Sequence, residues 1–195
     1  NDPLECILHA EGVIICVPTP SGPRGSCDDR IVQSIIDMCD YRTKVMVKSS
    51  VTPDLVEKYP PNVVYCPEFL RQNNTTEDFA KQTHMIIGHH KNAEDQADWW
   101  KDIFYGCFHT LEVIKTDRST ASMVKYMHNA WLATKVVFFH QIYKAMPEGS
   151  DYNMMTSILE KFTNIGPSHM KAPNEEGRLG YGGACFPKDV QAILK

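Results

Sequence analysis

Residues Gly180–Asp189, GYGGACFPKD, set a cysteine behind a pair of glycines and ahead of a Phe-Pro-Lys-Asp string. Proline suits the first turn of a helix, where its missing N–H would have no intrahelical partner anyway. With Pro187 opening a helix, Cys185 lies at the positive helix end. Unpaired backbone N–H groups there favour a thiolate and ready the sulfur as a nucleophile. Gly182 and Gly183 allow a ligand to approach the backbone closely. Asp189 lies one helical turn further on, where a carboxylate can hold a water or orient a base. A small structural cysteine beside a turn would read the same in so short a string, so the partners decide.

One pair of partners is Lys125 and Asn129, spaced i, i+4 and therefore on one face of a helix. An ammonium and an amide donor are what the oxyanion of a tetrahedral intermediate on sulfur needs. The plain alternative is a snorkelling lysine beside a solvated asparagine. Pro18-Thr19 in VPTP, Ser50 in KSSV, and Glu68 with Phe69 and Leu70 in PEFL each come after a strand-like run. In an open parallel sheet, ligands bind at the carboxyl ends of the strands.

The elements that must hold these residues are legible in the apolar pattern. Short β-branched runs at 12–20, 43–51, 62–70, 83–90 and 110–116 predict strands. Between them, DDRIVQSIIDMCDY, TPDLVEKYP and AEDQADWWKDIFYGCF predict helices, the first capped by Asp28 or Asp29. That alternation predicts a parallel α/β sheet up to about residue 117. Residues 119–146 then run without Gly or Pro and predict one long helix capped by Ser119. Its middle, with Met127, Trp131, Val136, Val137, Phe138 and Phe139, is apolar on nearly every side, which predicts burial against another subunit or domain. A helix over about 151–163, a Gly/Pro-rich loop over 164–184 and a last helix from Pro187 complete the chain. The fold class is α/β, a sheet over 1–117 followed by a helical segment over 118–195.

Bulk composition narrows the function classes. A net charge of −4 with Lys and Arg spread along the chain predicts no nucleic-acid and no membrane partner. No apolar run is long enough for a membrane span, and the first residues lack the pattern of a signal peptide. Seven cysteines, an odd number with no C-x-x-C, predict reduced thiols and a cytoplasmic location. With no H-E-x-x-H either, no metal site is expected.

VPTP, KSSV, PEFL, Lys125-x-x-x-Asn129-Ala130 and GYGGACFPKD, in that order, resemble the nucleotide-sugar 6-dehydrogenase family, whose members include UDP-glucose and GDP-mannose 6-dehydrogenases. The resemblance implies part of a Rossmann domain for NAD over 1–117, then a central segment that dimerises through the long helix 119–146. It implies oxidation of a sugar C6 alcohol to a carboxylate, with two NAD+ and one water consumed. Cys185 would attack the intermediate aldehyde, and a thioester would form next. Lys125 and Asn129 would stabilise oxyanions, Asp189 would assist water or proton transfer, and Ser50 would act with a water in acid–base steps. Glu68, Phe69, Leu70 and Gly182 would line the substrate site; Thr19, Pro18, Ser50 and Lys188 would contact NAD. UDP-glucose is the default nucleotide sugar.

Two positions depart from the family pattern. Gln72 stands where many relatives have a glutamate, and Asn164 stands where an arginine commonly precedes Ile-Gly. The chain carries no G-x-G-x-x-G, so these 195 residues alone are expected to be a piece of a longer enzyme, binding NAD poorly and turning over little. Two other readings stay open: a 6-phosphogluconate or 2-hydroxyacid type of dehydrogenase, which needs no cysteine nucleophile, and a dimerisation fragment without catalysis.

Overall fold

The computed structural model describes residues 3–71, 74–108, 110–175, 177–183 and 185–194. The chain divides into two compact units, residues 1–126 with 192–195, and residues 127–191.

The first unit is built on five strands in the order β1-β2-β3-β4-β5: β1 (Gly12–Ile15), β2 (Lys44–Val47), β3 (Val63–Tyr65), β4 (His84–His89) and β5 (Glu112–Asp117). Successive residues of a strand point to opposite faces, and here both faces are covered. Ile15, Val45, Val47, Val63 and Tyr65 pack with Val32 and Ile36 of helix α2 (Arg30–Ile36). Met46, Val64, Cys66, Met85 and Ile87 pack with Ala97, Trp100 and Phe104 of helix α5 (Glu94–Cys107). Burying each large aliphatic or aromatic side chain contributes about 1.5–3 kcal/mol. The short helix α1 (Pro3–Leu8) precedes the sheet, and α3 (Pro53–Val56) links β2 to β3. Asp28, not Asp29, bonds the start of α2, accepting from the Arg30 N–H at 3.2 Å; the Asp29 carboxylate accepts from the Tyr59 hydroxyl at 2.8 Å instead.

The sheet departs from the all-parallel expectation at one joint. β1–β2, β2–β3 and β4–β5 are parallel, whereas β3 and β4 pair antiparallel through Tyr65 and Gly88. A parallel connection needs a crossover, usually a full helix. Helix length alone does not set this joint: the four-residue α3 joins the parallel pair β2–β3, the six-residue α4 (Thr75–Ala80) joins the antiparallel pair β3–β4, and the 14-residue α5 joins the parallel pair β4–β5. Gly88 has a packing reason to be glycine. A Cβ there would meet the Arg118 Cα at 2.8 Å and the Ala121 Cβ at 2.7 Å.

The long helix, α6 (Arg118–Ala145), continues from β5 without a loop. Ser119 does not cap it. Asp117 accepts from the Thr120 N–H at 2.8 Å and the Thr120 hydroxyl at 2.6 Å, while the Ser119 N–H donates to Glu57 Oε1 at 3.0 Å. The string Thr-Asp-Arg-Ser-Thr offers several cap residues, and the carboxylate, a stronger acceptor than a hydroxyl, takes the role. The helix start is stapled down by Arg118, which is fully buried. Its guanidinium donates to the carbonyls of Tyr59 at 2.9 Å, Pro60 at 3.0 Å and Glu57 at 3.3 Å. Burial holds its pKa below the usual arginine value.

The second unit packs the later turns of α6 against α7 (Tyr152–Leu159) and the loop beyond it. Asp151 caps α7 by accepting from the Met154 N–H at 3.0 Å. Phe139, Tyr152, Met170 and Ala172 form a small core, and the Tyr152 hydroxyl donates to the Met170 carbonyl at 2.6 Å. Not all of the α6 face is buried within the chain: Trp131 and Phe138 remain 64% and 54% exposed. The last helix, α8 (Phe186–Ile193), begins one residue before Pro187.

Candidate active site

In the first unit, the predicted residues gather at the carboxyl ends of β1, β2 and β3. The Thr19 hydroxyl donates to the Ser50 carbonyl at 2.7 Å and ties the loop after β1 to the loop after β2. Ser49, which the sequence did not single out, fastens the same two loops: its hydroxyl accepts from the Val17 N–H at 2.9 Å and donates to the Val17 carbonyl at 2.8 Å. These bonds occupy backbone groups and leave the half-buried Ser50 hydroxyl without a partner among the described residues. Pro18 is exposed between Val17 and the buried Thr19.

Glu68 is held by a residue that sequence reasoning passed over. Lys48 continues β2 by one residue, and its ammonium pairs with Glu68 Oε2 at 3.0 Å and reaches the Cys66 sulfur at 3.5 Å. The register Ile15–Val47–Tyr65 puts Cys16, Lys48 and Cys66 in one row across the three strands. Burial works against the Lys48 ammonium, but its neighbours Cys66 and Glu68 outweigh it, so its pKa lies above the usual lysine value. Burial pushes the Cys66 thiol up. The string KVMVKSS gave no signal, because lysines at both ends of an apolar run, Lys44 and Lys48, read as ordinary charged strand ends. The other Glu68 oxygen, Oε1, accepts from the Phe69 N–H at 2.9 Å, a tight local turn. Lys125 of α6 donates to the Glu68 carbonyl, and its ammonium stands 5.3 Å from the Phe69 ring centre. Lys125, Glu68 and Phe69 therefore form one cluster with Lys48. Leu70 is half-buried beside it. Gln72 lies outside the described residues.

In the second unit, Cys185 sits where the sequence predicted, exposed at the amino end of α8. Its carbonyl accepts the first bond of the helix, from the Asp189 N–H at 2.9 Å. Asp189 is 1% exposed. Its Oδ2 accepts from the Asn129 amide at 2.6 Å, and its Oδ1 pairs with Lys188 at 2.5 Å. The carboxylate thus aims the Asn129 amide one helical turn from the cysteine. Asn129 also stands beside its neighbour His128, Nδ1 to Oδ1 at 3.2 Å. Gly182 is exposed in the run before Cys185 and lines a cavity of about 580 Å³ with Gly183, Tyr181, Arg178 and Phe186. His169 also lines this cavity; burial, with the nearby Lys135 and His128 charges, lowers its pKa below the usual histidine value.

Two further polar side chains of α6 hold the loop. The Lys135 ammonium donates to the carbonyls of Ile165 and Gly166 at 2.8 and 3.0 Å, beside Asn164. Burial lowers its pKa. His140, 4% exposed, bonds the loop at two points. Neither carried a sequence signal, because both read as ordinary polar positions on a long helix.

The chain matches two family models: the NAD-binding domain of the UDP-glucose/GDP-mannose dehydrogenase family over residues 2–105, and the central domain of that family over residues 119–195. A UDP-glucose 6-dehydrogenase of Rickettsia bellii is 31% identical, covering 97% of this chain and 45% of the relative. The chain therefore spans about half the length of the relatives it matches. Among solved structures, a UDP-glucose dehydrogenase from Pyrobaculum islandicum superposes with a TM-score of 0.81 at 28% identity, covering 99% of this chain and 47% of that one. A UDP-D-ManNAc dehydrogenase from Pyrococcus horikoshii has the same fold, with a TM-score of 0.78 at 20% identity over 100% of this chain and 48% of that one.

Proposed function

Because the chain belongs to the UDP-glucose/GDP-mannose dehydrogenase family, we propose that it is the NAD-binding and central portion of a UDP-glucose 6-dehydrogenase that oxidises the sugar C6 alcohol to a carboxylate through a thioester on Cys185. The observation that carries this reading is the Asn129–Asp189 bond one turn from the exposed Cys185 at the head of α8. The cofactor fits the first unit: Thr19 and Pro18 stand at the end of β1, and the Ser50 hydroxyl faces no competing partner among the described residues. Thr19, Pro18 and Ser50 of the first unit are proposed to contact NAD, and Lys188 of the second is proposed to contact it as well; when bound, NAD would accept a hydride in each of the two oxidations.

The residues then divide the work. Ser50 orients a water that takes up the C6 hydroxyl proton and releases it to solvent as the alcohol becomes an aldehyde. The Cys185 sulfur adds to the aldehyde carbon, forming a C–S bond and an alkoxide that Lys125 and Asn129 stabilise. Loss of the remaining C6 hydrogen as hydride turns the thiohemiacetal into a thioester. Water, assisted by Asp189 in giving up its proton, adds to the thioester and expels the thiolate. In the first unit Glu68, fixed by Lys48, is proposed to contact the sugar with Phe69, Leu70 and Lys125; in the second, Asn129 and Gly182 are proposed to do so.

The 195 residues contain no glycine-rich dinucleotide loop, so the activity is assigned to the protein of which they form part. Residues 1–117 supply the second half of its NAD domain, and residues 118–195 its central segment. The exposed apolar face of α6 with Trp131 and Phe138 supports pairing of two copies through that helix. A cytoplasmic location accords with the proposed substrates; among the described residues no helix is long and apolar enough to cross a membrane. The test is NADH formation by the full reading frame with UDP-glucose, GDP-mannose and UDP-N-acetylmannosamine, and its loss in Cys185→Ser. Activity that survives Cys185→Ser would favour a dehydrogenase without a cysteine nucleophile.

A further inference from the structure

His140 makes two hydrogen bonds to the loop that leads into Cys185. Its Nδ1 accepts from the Gly180 N–H at 2.6 Å, and its Nε2 bonds the Lys171 carbonyl at 2.9 Å. Since Nδ1 accepts, the ring proton sits on Nε2 and donates to Lys171. The two contacts are the feet of one closed loop. Between them, Asn174 bonds across to Arg178 twice: its N–H donates to the Arg178 carbonyl at 2.9 Å, and its side-chain oxygen accepts from the Arg178 N–H at 2.8 Å. A single buried imidazole thus sets where this loop begins and where it releases the chain.

The placement of Gly180 matters because of the short run between it and the cysteine. Gly180 has φ 96° and Gly183 has φ 79°, left-handed conformations that glycine reaches without strain. Tyr181, Gly182 and Gly183 are exposed and line the 580 Å³ cavity, and Cys185 comes next among the described residues. Beyond the cysteine the chain is fixed again where Asp189 accepts from Asn129. Asn129 and His140 are eleven residues apart on α6, about three full turns, so they lie on one face about 16 Å apart along the axis. We propose that His140 and Asn129 are paired clamps on one helix face, and that His140 is a positioning residue that sets the path of Gly180–Gly183 and so the placement of the Cys185 thiol for a nucleotide-sugar substrate. This rests on the function proposed above for Cys185.

Two near-isosteric variants separate the bonds. In His140→Asn the amide oxygen stands near the Nδ1 position and can still accept from Gly180. In His140→Gln the amide nitrogen stands near the Nε2 position and can donate only to Lys171. Amide hydrogen exchange of Gly180, read by NMR on the folded chain, needs no catalysis. Losing one buried hydrogen bond corresponds to about a tenfold change in an opening equilibrium. We expect Gly180 to exchange about tenfold faster in His140→Gln and within about threefold of wild type in His140→Asn. In the active full-length enzyme, kcat should fall about tenfold in His140→Gln and recover in His140→Asn. Equal Gly180 exchange in the two variants overturns the clamp. The expected exchange difference with equal kcat overturns its role in positioning Cys185. Exchange as expected in a protein whose wild type has no dehydrogenase activity leaves the clamp standing and refutes the function on which its purpose rests.

Discussion

Changing Asp189 to asparagine probes the clamp beside the cysteine. The carboxylate is almost fully buried and holds two charge-assisted bonds, 2.6 Å to the Asn129 amide and 2.5 Å to Lys188. Asparagine keeps the shape but has one acceptor oxygen. If that oxygen faces Asn129, its NH2 confronts the Lys188 ammonium; if it is flipped, two amide NH2 groups confront each other. A hydrogen bond to a charged group contributes about 1.5–3 kcal/mol. The Lys188 side chain is 20% exposed, so water recovers part of that loss. The expected destabilisation is about 2–3 kcal/mol, read as a lower urea midpoint at unchanged slope. Asn129→Asp combined with Asp189→Asn reverses the donor and acceptor and should restore about 1–2 kcal/mol of the loss in a double-mutant cycle. A single-variant effect below about 0.5 kcal/mol, or no coupling in the cycle, would refute the claim that this bond organises the head of α8.

The remaining contacts can be perturbed in the same way. Arg118→Met should destabilise the chain by about 3 kcal/mol, because the buried carbonyls of Tyr59, Pro60 and Glu57 lose their shared donor; an unchanged urea midpoint would show that the staple is dispensable. Lys48→Met should cost about 1–2 kcal/mol, between the values of exposed and buried pairs, and should lower kcat of the full-length enzyme by freeing Glu68. Wild-type kcat in that variant would show that turnover does not depend on how Glu68 is oriented. Asp78, bonded by Arg71, has its pKa lowered from 3.8 to about 2. The folded-state value is depressed, so the stability this pair contributes is present above about pH 4 and is lost as pH falls toward about 2. Carboxyl NMR should show the Asp78 midpoint at about 2; a midpoint near 3.8 would break the pair.

Much of the fold was legible because hydrophobic period and strand-end punctuation are local signals. The five strands, α2, α5 and the long α6 come from apolar runs bounded by Pro, Gly and charge. The antiparallel β3–β4 joint was not legible, since the run NVVYCPEFL reads as a strand in either direction and the length of the connecting helix does not decide it: the four-residue α3 joins a parallel pair. The Asp117 cap was hidden among equally plausible neighbours. At the site, GYGGACFPKD and Lys125–Asn129 carried their chemistry in residue type and spacing. Lys48, Lys135 and His140 did not, because each acts on a partner between about 20 and 40 residues away in the chain, and nothing in the local string names that partner.

The proposed chemistry turns on Cys185 carrying the sugar as a thioester. Rapid acid quench of the full-length enzyme with UDP-glucose and NAD+, then peptide mass spectrometry, should find the sugar nucleotide attached at Cys185. The adduct should accumulate when hydrolysis is slowed, and Cys185→Ala should abolish both the adduct and product. Full conversion of UDP-glucose to the acid by Cys185→Ala would contradict it.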